Sequence, residues 1–255
     1  MSSISIGSPF ALFRHRSADP FTSCSLIDLI QREDWRLAVM AVGPKEAAEW
    51  SRVEGFFDGQ HASSVLPIHQ ACALEPPLSI IESLYNANPT GFVKKEKTFL
   101  RLPLHVACQT KASFEVVEKL LEFNIEAART KDALGRLPIH YACAHGAPSS
   151  VVDILLQAFP ASTHCGDKNG WVPLHVACRR GEDESTIRLL LEACPSSLFF
   201  ETKKGSTPLM CAEKVADFKH QILARLLRDY YLKADPRNVD KYPDRTTRQH
   251  QVLRS

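Results

Sequence analysis

The stretch GRLPIHYACAHG, residues 135–146, decides the fold, because the chain states it several times over. LPIHQAC begins at Leu66, LPLHVAC at Leu102, LPIHYAC at Leu137 and VPLHVAC at Val172, followed by a degenerate TPLMCAE at Thr207. The prolines stand at 67, 103, 138, 173 and 208, so the steps are 36, 35, 35 and 35 residues. A fixed period of this size marks a stack of equivalent units, each too small to bury a core without its neighbours.

Working outward from the proline, every unit has three parts. A turn precedes it, as in Asp132–Gly135 and Asp167–Gly170, where Asp and Gly supply turn hydrogen bonds and positive φ. A short helix starts at the proline, which is tolerated at a first helical position because the N–H it lacks would be orphaned there anyway. A longer apolar helix follows: SIIESLYNANP, EVVEKLLEFNI, SVVDILLQAFP and STIRLLLEACP each end 22 residues after their own proline, and HQILARLLRDY keeps that register. The second unit departs, with one extra residue in its approach and Leu100 where later units have glycine, so its turn is expected to be the least regular.

The flanks read differently. Ser25 with Asp28 forms a capping-box pattern, Asp34 can cap a second helix, and Pro44 suits the first turn of a third reaching Trp50. We read residues 24–59 as a helical capping repeat that covers the first open face of a stack spanning residues 60–231. Residues 1–23 and 232–255 are expected to be disordered tails; the first is also Ser-rich with Arg14 and Arg16, a composition shared with organelle transit peptides.

Composition excludes several classes. A 44% hydrophobic, 24% charged chain of 255 residues is ordinary for a folded protein, and a net charge of +2 argues for neither nucleic acid nor a membrane surface. No apolar run approaches the roughly 18 residues that span a bilayer. Four of the eight cysteines (Cys72, Cys108, Cys143, Cys178) occupy one repeated position, about a helix-packing distance apart and too far for disulfides, which fits a reducing cytoplasmic or nuclear compartment.

The turn, the TPLH-like helix start, the Ala of the short helix and the Val-Val-x-x-Leu-Leu helix together resemble the ankyrin repeat, over about residues 60–231. The resemblance implies an all-α solenoid with β-hairpin-like fingers, a concave groove lined by fingers and short helices, and a convex back of long helices. It also implies protein–protein recognition. Leu66, Leu102, Leu137 and Val172 replace the family's Thr, which in that family braces the motif His, so the brace is expected to come from packing of these apolar residues instead.

His69/Cys72, His105/Cys108, His140/Cys143 and His175/Cys178 are three apart on a helix and could each offer two metal ligands. Zinc needs four ligands at about 2.0–2.3 Å, which pairs about 10 Å apart cannot share. We therefore read His as a fixed hydrogen bonder and Cys as a small packed residue, with no catalytic residue, cofactor or metal. A redox- or metal-responsive regulator built on these pairs is the alternative from another class. Cys24, Cys165 and Cys194 fall outside the repeated position and are expected to be more exposed.

Charge divides along the repeat. From six residues before each proline to eight after, the five windows sum to +6; the long-helix windows sum to −6. Together with the recognition role that the resemblance implies, this is read as a non-enzymatic scaffold or adaptor, monomeric, that holds an acidic protein partner in its groove; the alternative reading is two surfaces solvated by unrelated charges. The candidate contacts are Arg101, Arg136, Tyr141, His145, Lys168, Trp171, Arg179 and Arg180, with Tyr141 and Trp171 expected on the exposed side as aromatic anchors.

Overall fold

The computed structural model describes residues 24–56, 61–215 and 217–234. Contacts divide the chain into two compact units, Met1–Ser162 and Thr163–Ser255. The expected tails at 1–23 and 235–255 lie outside the described residues, but Leu232 and its two successors, assigned to the tail, continue the last helix instead.

In the first unit, α1 (Leu26–Gln31) is capped as the sequence predicts: Asp28 N–H donates to Ser25 Oγ at 3.3 Å and Ser25 N–H to Asp28 Oδ2 at 3.1 Å. Asp34 caps α2 (Trp35–Ala41) by accepting from Leu37 N at 3.2 Å. The third helix, α3 (Pro44–Ala48), stops short of Trp50 because the chain extends there into β1 (Ser51–Val53). This strand pairs antiparallel with β2 (Ser63–Val65), Ser51 opposite Val65, and forms the one sheet among the described residues.

Three helix pairs follow in this unit: α4 (Pro67–Cys72) with α5 (Leu78–Ala87), α6 (Pro103–Gln109) with α7 (Phe114–Phe123), and α8 (Pro138–His145) with α9 (Ser149–Ala158). Helix α1 packs on α4, α4 on α6 and α6 on α8, while the longer helices form a second row, α2 on α5, α5 on α7 and α7 on α9. In the second unit, α10 (Pro173–Arg180) with α11 (Glu184–Ala193) is followed by α12 (Pro208–Glu213) with α13 (Phe218–Ala234), and α10 packs on α12. Within each unit short helix packs on short helix, the stacking of an all-α repeat solenoid that the periodicity predicts.

Regularity at the residue level explains the period. Helices α5, α7, α9 and α11 are each ten residues long and begin eleven after the repeat proline. Their buried faces recur as Ile80, Ile81 and Leu84; Val116, Val117, Leu120 and Leu121; Val151, Val152, Leu155 and Leu156; Ile187, Leu190 and Leu191. That is an i, i+1, i+4, i+5 stripe, the helical spacing of one apolar face. Each ends on a residue at φ near −150° and ψ near 80°: Asn88, Asn124, Phe159 and Cys194. A five-residue 3₁₀ turn then begins at Pro89, Ile125, Pro160 or Pro195 and carries the chain towards the next finger.

Each finger is closed by one polar side chain. Asp132 Oδ1 accepts from the backbone N–H groups of Leu134 and Arg136, both at 2.8 Å, and Asp167 Oδ1 does the same for Asn169 and Trp171 at 2.8 and 2.9 Å. Thr202 Oγ1 takes a weaker share, accepting from Ser206 N at 3.1 Å. In the second repeat the finger is one residue longer, and the closing residue is Glu96, one methylene longer. Its carboxylate accepts from Thr98 N at 2.8 Å, Phe99 N at 2.8 Å and Arg101 N at 3.1 Å, and from the Ser63 hydroxyl. Leu100 takes φ +58° there, where Gly135 and Gly170 take +75° and +80°, so the irregular finger keeps the left-handed residue without the glycine.

The helix starts are braced by histidine, which corrects the expectation that packing of the apolar cap residues replaces the lost Thr–His brace. Backbone N–H groups of Leu66, Leu102, Leu137 and Val172 donate to Nδ1 of His69, His105, His140 and His175 at 3.3, 3.2, 3.1 and 3.4 Å. This is the back-reaching half of a capping box, with imidazole in place of the usual Glu or Gln. The other nitrogen, Nε2, bonds the following repeat: to Lys94 O at 3.0 Å from His69, Arg136 O at 3.3 Å from His105, and Ser206 O at 3.0 Å from His175. With Nδ1 accepting and Nε2 donating, both roles belong to the neutral ring. Where Met210 replaces His, Thr207 returns and its hydroxyl accepts from Met210 N at 3.3 Å.

Two outcomes follow. Glu96→Ala leaves several finger N–H groups without their acceptor and is expected to cost about 3 kcal/mol in urea unfolding, while Glu96→Asp, one methylene too short for this turn, still costs more than about 1 kcal/mol. Burial holds His69 and His105 down at about 4, against 6.5 unfolded. The unfolded chain therefore binds more protons between those values, so stability is full above pH 6.5 and falls as pH drops towards 4. On the order of 2 kcal/mol is lost per histidine at pH 5. Urea midpoints at pH 7.5 and 5 should show this loss, and the double variant His69→Gln/His105→Gln, which can still reach back to the cap, should flatten it.

Candidate partner-binding surface

The candidate residues of the first unit do not form one exposed patch. Arg101 is buried, and its Nε–H donates to Tyr141 Oη at 3.0 Å and lies 3.6 Å from Asp132 Oδ2. Tyr141 O–H in turn donates to Asp132 Oδ2 at 2.6 Å. The guanidinium also sits 4.2 Å from the Phe99 ring centre. Burial pulls Arg101 below its ordinary value, opposed by Tyr141, Asp132 and Glu96, and burial pushes Tyr141 up to about 12.

This corrects two expectations. Tyr141 is 2% exposed and Arg101 4%, so neither presents a side chain to a partner in this state. The physical reason is that the residue after the motif His points between neighbouring short helices: Val106 and Tyr141 are both buried there. A phenol at that place needs a polar partner for its hydroxyl, and Asp132 supplies it. Removing one member of such a buried pair usually costs far more than the pair contributes, which marks the cluster as framework.

Arg136 and His145 remain half-exposed beside it. Arg136 lies 5.7 Å from the Tyr141 ring centre, and His145 stacks on Tyr141 at 6.4 Å with 14° between planes. Nearby, Lys97 is exposed and sits 4.6 Å over the Trp50 ring. Leu100 and Leu134, at two successive finger tips, are 46% and 37% exposed. The tips thus mix basic and apolar groups. Neither leucine was singled out as a contact by sequence, because a repeat pattern reports what is shared and these two are not.

In the second unit the candidates fare better. Lys168, Arg179 and Arg180 are exposed and Trp171 is half-buried. Finger geometry holds Trp171: its N–H is tied to Asp167, and its ring lies 6.0 Å from that of His175. Lys203, Lys204 and Lys214 are exposed on the same finger and short-helix side, as is Met210. Arg179 and Arg180 end α10, where basic side chains complement the negative helix terminus, and Gly181 follows with φ +71°. A Cβ at Gly181 would come 2.7 Å from the His220 ring, so this turn admits only glycine without a shift.

The repeated His/Cys pairs are tied into the framework. For His69, His105 and His175, both ring nitrogens are committed to backbone groups. Cys72, Cys108, Cys143 and Cys178 are free thiols and buried, and burial pushes Cys72 and Cys108 well above the usual thiol range. Among the described residues no cluster of three or more His, Cys, Asp or Glu side chains could hold a metal ion. Of the out-of-register cysteines, Cys24 and Cys165 are half-exposed, but Cys194 is only 3% exposed, against expectation.

Among the described residues no helix is long and apolar enough to cross a membrane. No curated protein matches the chain. A family model described as ankyrin repeats (3 copies) matches residues 68–161 and 148–240. With the proline-started short helices, the longer helices in one register and the carboxylate-closed fingers, these matches, which together span residues 68–240, show that the chain belongs to the ankyrin-repeat family.

Proposed function

We propose that this protein is a non-enzymatic scaffold or adaptor that holds an acidic protein partner on its finger and short-helix side. Ankyrin repeats are protein–protein interaction modules, and the carrying observation here is electrostatic. Lys168, Arg179, Arg180, Lys203, Lys204 and Lys214 stand exposed on that side of the second unit. Helices α7 and α11 present acids instead, Glu115, Glu118 and Glu122 in the first unit and Glu184 and Glu192 in the second, while α13 exposes Lys219 and Arg225. A face of one sign steers an oppositely charged partner and raises its association rate, while apolar and aromatic groups fix it once bound. Trp171 and Met210 supply those groups in the second unit, and Leu100 and Leu134 in the first.

Arg136 and His145 are proposed contacts of the first unit. Arg101 and Tyr141 act through them, as the buried layer that sets their height. The proposed organisation is a helical cap at residues 24–59 followed by five repeats, with the protein acting as a monomer in a reducing compartment of the cell.

The reading is tested by charge reversal on the two sides. Lys168→Glu/Arg179→Glu/Arg180→Glu is expected to lose the proteins that the wild-type chain captures from a lysate, identified by mass spectrometry. Glu118→Lys/Glu122→Lys/Glu192→Lys should keep them. Both variants should unfold within about 0.5 kcal/mol per substitution of the wild type, as exposed positions do. Equal capture by both variants would sink the proposal.

A further inference from the structure

One thiol in the second unit stands apart from the repeated ones. Cys194 caps the C-terminal end of a long helix, where the first unit twice has asparagine. Those asparagines are structural: Asn88 Nδ2 donates to Ala47 O at 3.0 Å and Asn124 Nδ2 to Phe92 O at 3.1 Å, each reaching back to an earlier part of the chain. Cys194 reaches back too, but to a side chain. Its Sγ lies 3.3 Å from His164 Nε2 and 3.3 Å from Ser196 Oγ, and His164 Nδ1 lies 3.0 Å from Thr163 Oγ1. The thiol is buried while the imidazole is exposed, so the ring connects the sulfur to solvent.

We propose that Cys194 is an oxidation site for hydroperoxides, with His164 as its proton acceptor. In the reactive tautomer Nδ1–H donates a hydrogen bond to Thr163 Oγ1, which leaves the Nε2 lone pair facing the thiol. Nε2 accepts the S–H proton as the sulfur attacks a peroxide oxygen. The S–O bond forms, the O–O bond breaks, and the departing hydroxide takes the proton back from the imidazolium as water. The balance is one thiol and one hydrogen peroxide to one sulfenic acid and one water. The sulfur gives up two electrons and the peroxide takes up two, with no further co-reactant. Sulfenic acid is the reversible first step of cysteine oxidation, so such a site reports oxidant without destroying the protein.

The contrast with the motif cysteines makes this specific. Cys72 and Cys108 are buried, more deeply than Cys194, and the His of each motif has both nitrogens bonded to backbone. A thiolate is the reacting species, and only Cys194 among these three has an imidazole nitrogen placed to take its proton.

The test treats the full-length chain with hydrogen peroxide in the presence of a 1,3-diketone trap for sulfenic acid, and reads each cysteine by mass spectrometry. Cys194 is expected to be trapped faster than Cys72 and Cys108. His164→Phe should slow it by roughly tenfold or more, given what a positioned base contributes, while trapping at Cys24 is unchanged. Unfolding of the variant would expose Cys194 and raise its rate, the opposite direction, so a fall reads the imidazole itself. His164→Gln, which keeps a polar side chain, should slow it as well. Trapping of Cys194 no faster than Cys72 and Cys108, or at an equal rate in His164→Phe, overturns the proposal.

Discussion

The rest of this structure depends on the motif imidazole that four of the five repeats carry. A short helix of six to eight residues cannot hold itself together in water, since its nucleus costs more than so few hydrogen bonds return. The motif histidine joins it to two other things at once. Nδ1 takes the orphan N–H of the residue before the proline, and Nε2 donates to a carbonyl of the following repeat. A repeat therefore becomes ordered together with its successor, which is the nearest-neighbour coupling expected of a solenoid. The cost is a ring that must stay uncharged, because a protonated Nδ1 would be a donor aimed at a donor.

The fingers obey a second constraint of the same kind. Backbone N–H groups at a tight turn need an acceptor, and one side-chain oxygen serves two of them in the Asp132 and Asp167 turns. The second finger shows that geometry, more than residue type, is conserved across the repeats. An added residue is met by an added methylene at Glu96, and a left-handed backbone at Leu100 stands where glycine is used elsewhere. The Asp132 carboxylate does double duty, since its other oxygen receives the Tyr141 hydroxyl and faces Arg101. One finger is thereby locked to its neighbour through side chains as well as through the backbone bond from Ala133 N to Phe99 O at 2.8 Å.

The repeat and its registers were legible because they follow from spacing alone: prolines at helix starts, apolar stripes at helical intervals, Asp and Gly at turns. Residues that occur once were harder to place. Tyr141 reads from the sequence as an exposed aromatic, since nothing in LPIHYAC says whether the fourth helical position faces water or the next short helix. Its burial is decided by Arg101 and Asp132, 40 and 9 residues away. Cys194 and His164 are 30 residues apart and belong to no motif, so their meeting could be found only in three dimensions. Asp132 and Asp167 were legible as turn residues, but Glu96 and Thr202, seven and six residues before their own prolines, do the same work without the Asp that marks it.

Burial of Arg101 bears on the charge of the proposed recognition face, though less than its loss as a contact suggests. Its partner Asp132 belongs to the same set of finger and short-helix windows, so the pair removes one positive and one negative charge from the same face. The +6 read from the sequence survives, and it is carried by side chains that water reaches. A buried, paired Arg101 contributes shape where an exposed one would have contributed attraction. Under the proposed function, selectivity rests with groups that differ between repeats: Trp171 on one finger, leucines on two others, and arginines at the end of a single short helix. The shared residues fix where those groups stand, and the unshared ones determine what they meet.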